Sequence, residues 1–207
     1  MEPVARRRGR PPAHEREQRR ADTLDAALAE IVDRGYEAVT VLDIARRARV
    51  SKESLYSWYG SKQGLVAAVI RRQSEQTNAA VATALGTDAD PKDTLTAVAA
   101  GLLNLLLGPA SIALNRAAMS SPGLAAVLLR HGRHTTGPLI ESFLQRLCDR
   151  GHLRITDPAD AFRLYFGLVV QDSQIRALLG EPPLSAADRS ARASAAVDRF
   201  LALTAAS

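Results

Sequence analysis

Two helical patterns of about eight residues each, 41–48 and 52–59, sit with only Arg49, Val50 and Ser51 between them. Helices that short do not persist in water, because nucleation costs more than a few hydrogen bonds return. Both must therefore pack on a third element. The preceding segment supplies it: Leu24, Leu28 and Ile31 recur at spacings of four and three, with Ala27 and Val32 widening the stripe. That period predicts a helix over 15–34, with Gly35 as its C-cap and Tyr36 packing just beyond. Thr40 is the expected N-cap of the second helix, with Asp43 in its first turn and Val41, Ile44, Ala45 and Ala48 inward. Ser51 caps the third, where Leu55 and Tyr59 fall on one face.

The remainder also reads as helix. One helix starts at Ser61 and reaches about Leu85, with Gly64 as a weak spot. After the loop 86–91, helices are expected over 92–107, 110–119, 122–150, 158–179 and 185–204. Gly137-Pro138 is expected to kink or divide the helix over 122–150. Pro158, following Thr156-Asp157, suits a first helical turn. No segment alternates as a strand, and no repeat is visible. The expected fold class is all-α: a three-helix helix-turn-helix head joined to a larger helical bundle, nine or ten helices in total. The expected divisions are a flexible basic arm at 1–13, the head at 14–60 and the bundle at 61–207.

Composition narrows the functional classes. Of 207 residues, 46% are hydrophobic, enough for a core, and 4% are aromatic, which with the Ala and Leu tracts favours helix. Lys and Arg number 27 against 22 Asp and Glu, a net charge of +5. The excess is concentrated at the start, in Arg6, Arg7, Arg8, Arg10, Arg16, Arg19 and Arg20, and such a stretch is drawn to polyanions. The single Cys148 permits no internal disulfide and fits a reducing compartment. The most apolar stretch, 95–118, is broken by Gly101, Asn104, Gly108, Pro109 and Arg116, so no membrane span is expected. No apolar segment follows the Arg-rich start as in a signal peptide, and a cytoplasmic location is expected. No Ser/His/Asp order, carboxylate pair or phosphate-cradling loop on a strand is present, so no enzyme and no cofactor are expected. His131 and His134 lack a third ligand, so no metal is expected.

Helix, tight turn and helix is a geometry that reads DNA, the second helix entering the major groove. With Leu55 and Tyr59 inward, the other face of 52–59 offers Lys52, Ser54, Tyr56, Ser57 and Trp58. Lys52 can reach a guanine edge or a phosphate. The hydroxyls can bond bases or backbone, and an aromatic ring can lie on a thymine methyl. Arg46, Arg47, Arg49 and Lys62 add phosphate-reaching charge. The competing reading makes the Tyr56/Trp58 patch a protein contact, with DNA binding weak and indifferent to sequence.

The run Gly35-Tyr36, Thr40-Val41, Asp43-Ile44-Ala45, Val50-Ser51, Leu55-Tyr56, Ser61-Lys62 and Leu65 resembles the signature of TetR-type transcriptional regulators. The resemblance implies a recognition helix at 52–59 and DNA contacts at Thr40, Ser51, Lys52, Ser54, Tyr56, Trp58 and Lys62. Three features depart from the family pattern. Arg49 stands where Gly is usual, Trp58 replaces a common His, and Gly60 and Gly64 soften the next helix start. Arg49 would be strained if its φ is positive. The stretch 149–167 is similar to the family's passage between its late helices. The resemblance implies a homodimer through about 158–179 and 185–204, and a small-molecule pocket within 90–180.

The polar inventory for such a pocket is thin: Asn104, Asn115, Arg116, Met119, His131, His134, Gln145, Cys148, Tyr165, Gln171, Asp172 and Gln174. Of these, Asn104, Asn115, Met119, His131, His134, Tyr165 and Gln171 are the expected ligand-binding positions. The expected partners are double-stranded DNA, a second copy of the chain and a small-molecule effector, with no membrane. The expected function is a dimeric repressor released from a palindromic operator by that effector. The alternative is a helical regulator or adaptor whose bundle serves only dimerisation or protein binding.

Overall fold

A computed structural model describes residues 13–87 and 89–205; the arm expected at 1–13 lies, Ala13 apart, outside the described residues. The all-α architecture is observed. Eleven helices are found among the described residues. The first four are α1 (Ala13–Arg34), α2 (Val41–Ala48), α3 (Lys52–Tyr59) and α4 (Lys62–Leu85). Next come α5 (Pro91–Leu106), α6 (Pro109–Met119), α7 (Pro122–His131) and α8 (Arg133–Asp149). The last are α9 (Pro158–Val170), α10 (Ser173–Leu178) and α11 (Ala186–Thr204). A lone antiparallel bridge joins Leu153 to Ala205 and ties the loop after α8 to the end of α11.

Most starts are set by one local side chain. Ser61 Oγ accepts from Gly64 N (3.0 Å), Asp90 Oδ1 from Lys92 N (2.8 Å) and Ser185 Oγ from Asp188 N (3.1 Å). Each satisfies an amide the helix cannot bond internally. Prolines at 91, 109, 122 and 158 occupy first turns, where no amide hydrogen is needed.

Two breaks fall elsewhere than expected. The helix over 122–150 divides at Gly132, not at Gly137-Pro138. A Cβ at Gly132 would stand 2.7 Å from the Leu128 carbonyl oxygen, so the turn admits only glycine. Pro138 is carried inside α8, near enough its start that only the His134 carbonyl loses a partner. The helix over 158–179 divides at Gln171, which takes φ 49° and ψ −132° between α9 and α10.

Two apolar cores organise the helices. The first joins Ile31, Ile44, Leu55, Val66 and Ile70 with Leu114, Ala117 and Leu124, so α6 and α7 close the base of the head. The second joins Leu95, Leu103, Ile140, Leu144, Phe162, Tyr165 and Phe200 across α5, α8, α9 and α11. Each such fully buried side chain contributes about 1.5–3 kcal/mol. Helix α4 belongs to both, with Leu65 to Ile70 in the first and Leu85 in the second. The apolar stretch 95–118 is folded into α5 and α6, bent by 59° at their junction. No single helix among the described residues is long and apolar enough to cross a membrane.

Candidate DNA-reading face and ligand cavity

The head is built from caps outward. Thr40 and Asp43 form a reciprocal box at the start of α2: Asp43 N donates to Thr40 Oγ1 (3.2 Å) and Thr40 N to Asp43 Oδ2 (2.9 Å). The Thr40 bonds, then the nearby Arg34 guanidinium, hold the Asp43 carboxyl below its ordinary value of 3.8. Arg47 reaches Glu30 (3.1 Å) and Asp33 (2.8 Å) on α1, so it clamps α2 down. Arg46 is exposed. Arg49 is the C-cap of α2 with φ 55° and ψ 41°, in the left-handed region. The tight turn does need positive φ, and an Arg occupies it.

On α3, Leu55 is buried and Tyr59 reaches α1, its hydroxyl donating to the Arg20 carbonyl (3.3 Å). The opposite face presents Ser51, Lys52, Tyr56 and Ser57 to solvent, with Tyr56 45% exposed. Lys52 Nζ lies 5.6 Å from the Tyr56 ring centre. Ser51 Oγ accepts from Ser54 N (3.1 Å) and lies 2.9 Å from Ser54 Oγ, so both hydroxyls already share the cap. Trp58 differs from the open position expected. It is half-buried against the head core, edge-on to Tyr59 and with the Arg20 guanidinium 5.7 Å from its ring. Lys62 leans on the Tyr36 ring (4.3 Å) and donates to the Glu37 carbonyl (3.4 Å).

The two glycines that depart from the family pattern are explained by the turn between α3 and α4. Gly60 has φ +74°. A Cβ at Gly64 would stand 2.1 Å from the Tyr59 carbonyl oxygen, so the helices meet too closely for any other residue.

A cavity of about 500 Å³ opens between α4, the α5–α6 junction, α7, α8, α9 and α10. Ile70, Leu102, Leu105, Leu114, Leu128, Phe162 and Phe166 make most of its wall. Gly137 lines it too, and a Cβ there would press to 3.0 Å on Phe162.

Of the expected ligand positions, Asn104 and Asn115 line this cavity, and so does Gln174 from the wider inventory. The others lie elsewhere, which corrects the expectation. Met119 is 67% exposed at the end of α6. His131 and His134 flank the Gly132 break without lining the cavity, the His131 carbonyl accepting from Asn78 Nδ2 (2.9 Å). Tyr165 is wholly buried in the second core, where its hydroxyl donates to the Leu95 carbonyl (2.6 Å) and burial pushes its pKa far up. Gln171 is exposed at the hinge.

Sequence reasoning missed Gln73, Ser111, Arg133 and Thr136, which line the cavity. For Arg133 a signal existed: it is the first residue of α8, where the helix dipole disfavours a cation. The expected break at Gly137-Pro138 hid it. No group of three or more His, Cys, Asp or Glu among the described residues is placed to hold a metal.

Comparison with known proteins gives matches to two family models. Residues 24–69 match the model of bacterial regulatory proteins of the tetR family. Residues 93–205, over half the chain, match the AefR-like transcriptional repressor C-terminal domain. A TetR transcriptional regulator from Agrobacterium tumefaciens is 36% identical, with 90% of this chain and 95% of that one covered and a TM-score of 0.75. A protein from Mesorhizobium loti described as a TetR-family regulator shares the fold at 23% identity and TM-score 0.83, over 91% of this chain and 98% of that one. The HTH-type transcriptional activator FasR of Mycolicibacterium smegmatis is 42% identical over 82 residues, which is 40% of this chain and 37% of that protein. The chain thus spans about a third of the length of that curated relative. With a capped helix-turn-helix at one end and an AefR-like helical domain at the other, the chain belongs to the TetR family of DNA-binding transcriptional regulators.

Proposed function

We propose that this chain is a homodimeric repressor that reads a palindromic operator with α3 and is released by a small molecule held in the 500 Å³ cavity. The observation that carries the reading is the shared position of α6. Its first half lines the cavity through Pro109, Ser111, Leu114 and Asn115. Its far end meets the head, where Leu114 and Ala117 enter the head core and Ser120 Oγ donates to Glu37 Oε1 (2.8 Å). Arg116 between them grips the end of α10, at the Ala177 and Leu178 carbonyls (both 3.1 Å). Helix α4 runs in parallel, with Ile70, Gln73 and Thr77 on the cavity and Leu65 in the head core. A ligand that favours one setting of these helices shifts the head by its difference in affinity for the two settings.

In this reading Lys52, Tyr56 and Ser57 meet base edges, while Thr40, Arg46, Arg49, Ser51, Ser54 and Lys62 meet phosphates. Trp58 braces the back of the recognition helix. Exposed Leu164 on α9 and Leu203 on α11 support a two-fold interface along those helices. Such a dimer must set its two α3 helices about 34–36 Å apart. The description of the matched C-terminal model favours repression, whereas FasR is an activator.

The test is selection from random duplexes at about 150 mM salt, followed by reporter assays on the enriched site. An enriched palindrome with half-sites one turn apart, and a silenced reporter, is the expected result. Salt-sensitive binding with no enriched sequence overturns the DNA-reading claim. A stimulated reporter overturns repression alone.

A further inference from the structure

Resting on the reading of the cavity as the effector site, we propose that the effector is an amphiphilic anion. Its hydrocarbon body fills the Leu/Phe wall and its oxyanion head, carboxylate or phosphate, is held by Arg133.

The argument begins with charge. Among the described residues lining the cavity, Arg133 is the one that carries a formal charge. Its guanidinium carbon lies 4.4 Å from the Phe162 ring centre and 4.8 Å from that of Phe166. The two rings themselves meet edge to face at 5.9 Å. These ring contacts favour the cation, and a guanidinium can grip an oxyanion in two parallel hydrogen bonds.

No carboxylate neutralises this group among the described residues. Glu141, whose Oε1 would stand 3.6 Å from a Cβ on Gly137, forms no salt bridge with Arg133. Arg133 is the first residue of α8, and Gly132 before it gives no side-chain cap.

The other polar groups on the wall are mostly spent within the protein. Asn104 Oδ1 accepts from Arg189 Nε (2.7 Å), and Asn115 Nδ2 donates to the Ser111 carbonyl (2.9 Å). Thr136 Oγ1 donates to Asn78 Oδ1 (2.5 Å) and Thr77 Oγ1 to the Gln73 carbonyl (2.9 Å). What remains is an apolar chamber with Arg133, exposed to solvent and without an ion pair, as the one formal charge among its described lining residues. A cationic ligand meets repulsion there and finds no acid, while a neutral apolar ligand leaves Arg133 unused.

The test is calorimetric titration of the purified full chain with four ten-carbon probes: decanoate, decyl phosphate, decan-1-ol and decylamine. Decanoate or decyl phosphate is expected to bind once per chain, at least tenfold tighter than decan-1-ol, with decylamine weakest. The preferred anion separates carboxylate from phosphate recognition. Arg133→Gln should weaken the anion at least tenfold and leave decan-1-ol within about twofold, and Arg133→Lys should fall between. Equal binding of anion and alcohol, or anion binding unmoved by Arg133→Gln, overturns the anion assignment and leaves the effector cavity standing. Failure of all four probes to bind overturns the effector reading itself.

Discussion

The DNA-reading head and the cavity are built on opposite logics. In the head, each helix is specified by residues adjacent to it in the chain: a cap, a first-turn acid and an apolar residue every three or four positions. In the cavity, each of seven helices contributes one or a few residues whose meaning appears only when the others are in place. The head is also filled, whereas the cavity is a deliberate absence of packing. Under the proposed function, the task that depends on fixed geometry sits in the tight region, and the task that depends on fit to another molecule sits in the open one.

That contrast fixes the expected responses to substitution. Removing packing from the head should cost most. Leu55→Ala is expected to destabilise by about 2–5 kcal/mol and to abolish specific DNA binding, read by urea unfolding and operator titration. Gln171→Gly probes the hinge beside the cavity. It should stabilise by about 1–2 kcal/mol, because only glycine adopts that backbone region without strain, and a lower melting temperature would sink the strain argument. Thr40→Ala removes the box on α2 and should cost about 1 kcal/mol. Ser111→Ala on the cavity wall should change stability by less than about 0.5 kcal/mol, and a larger loss would show the wall to be as intolerant as the head.

The acid response sharpens the same comparison. Asp43 is held below its ordinary pKa by its Thr40 bonds. Its contribution is therefore full above the unfolded value near 3.8 and is lost as pH falls through the lower folded value. Asp43→Asn should flatten the acid limb of unfolding, measured by Trp58 fluorescence against pH. The smallest effect is electrostatic: Lys52→Ala should reduce the salt slope of operator binding by about 1.8, about 0.9 for each of the dimer's two copies, if Lys52 meets a phosphate, and leave it unchanged if it meets only a base.

The same logics explain what was legible in the sequence. The bounds of α2 and α3 follow directly from Thr40 and Ser51, because a cap acts within three residues. The strain at Arg49 was expected from its replacing a usual glycine, and its φ of 55° shows it. The break at Gly132 was not, because Gly137-Pro138 carries the stronger local signal, and the closeness of the Leu128 carbonyl that excludes a side chain at Gly132 appears only in the folded turn. Gln171 gives no local signal at all, being neither glycine nor proline. Among ligand positions, Asn104 and Asn115 face the cavity while Tyr165 faces the core. All three are polar residues on apolar helices, and only the rotation of each helix in the assembled bundle separates them. Arg133 went unread since its meaning depends on where α8 begins.

Trp58 is the sole tryptophan of the chain. Held half-buried behind the recognition helix, it makes the head the dominant source of long-wavelength fluorescence. The cavity has no indole, so filling it is optically silent unless α4 or α6 passes the change on. The protein thus carries its own gauge of communication between its two halves. A change in emission on adding an effector would report coupling to the head, and a bound effector with unchanged emission would report a ligand that the head does not feel.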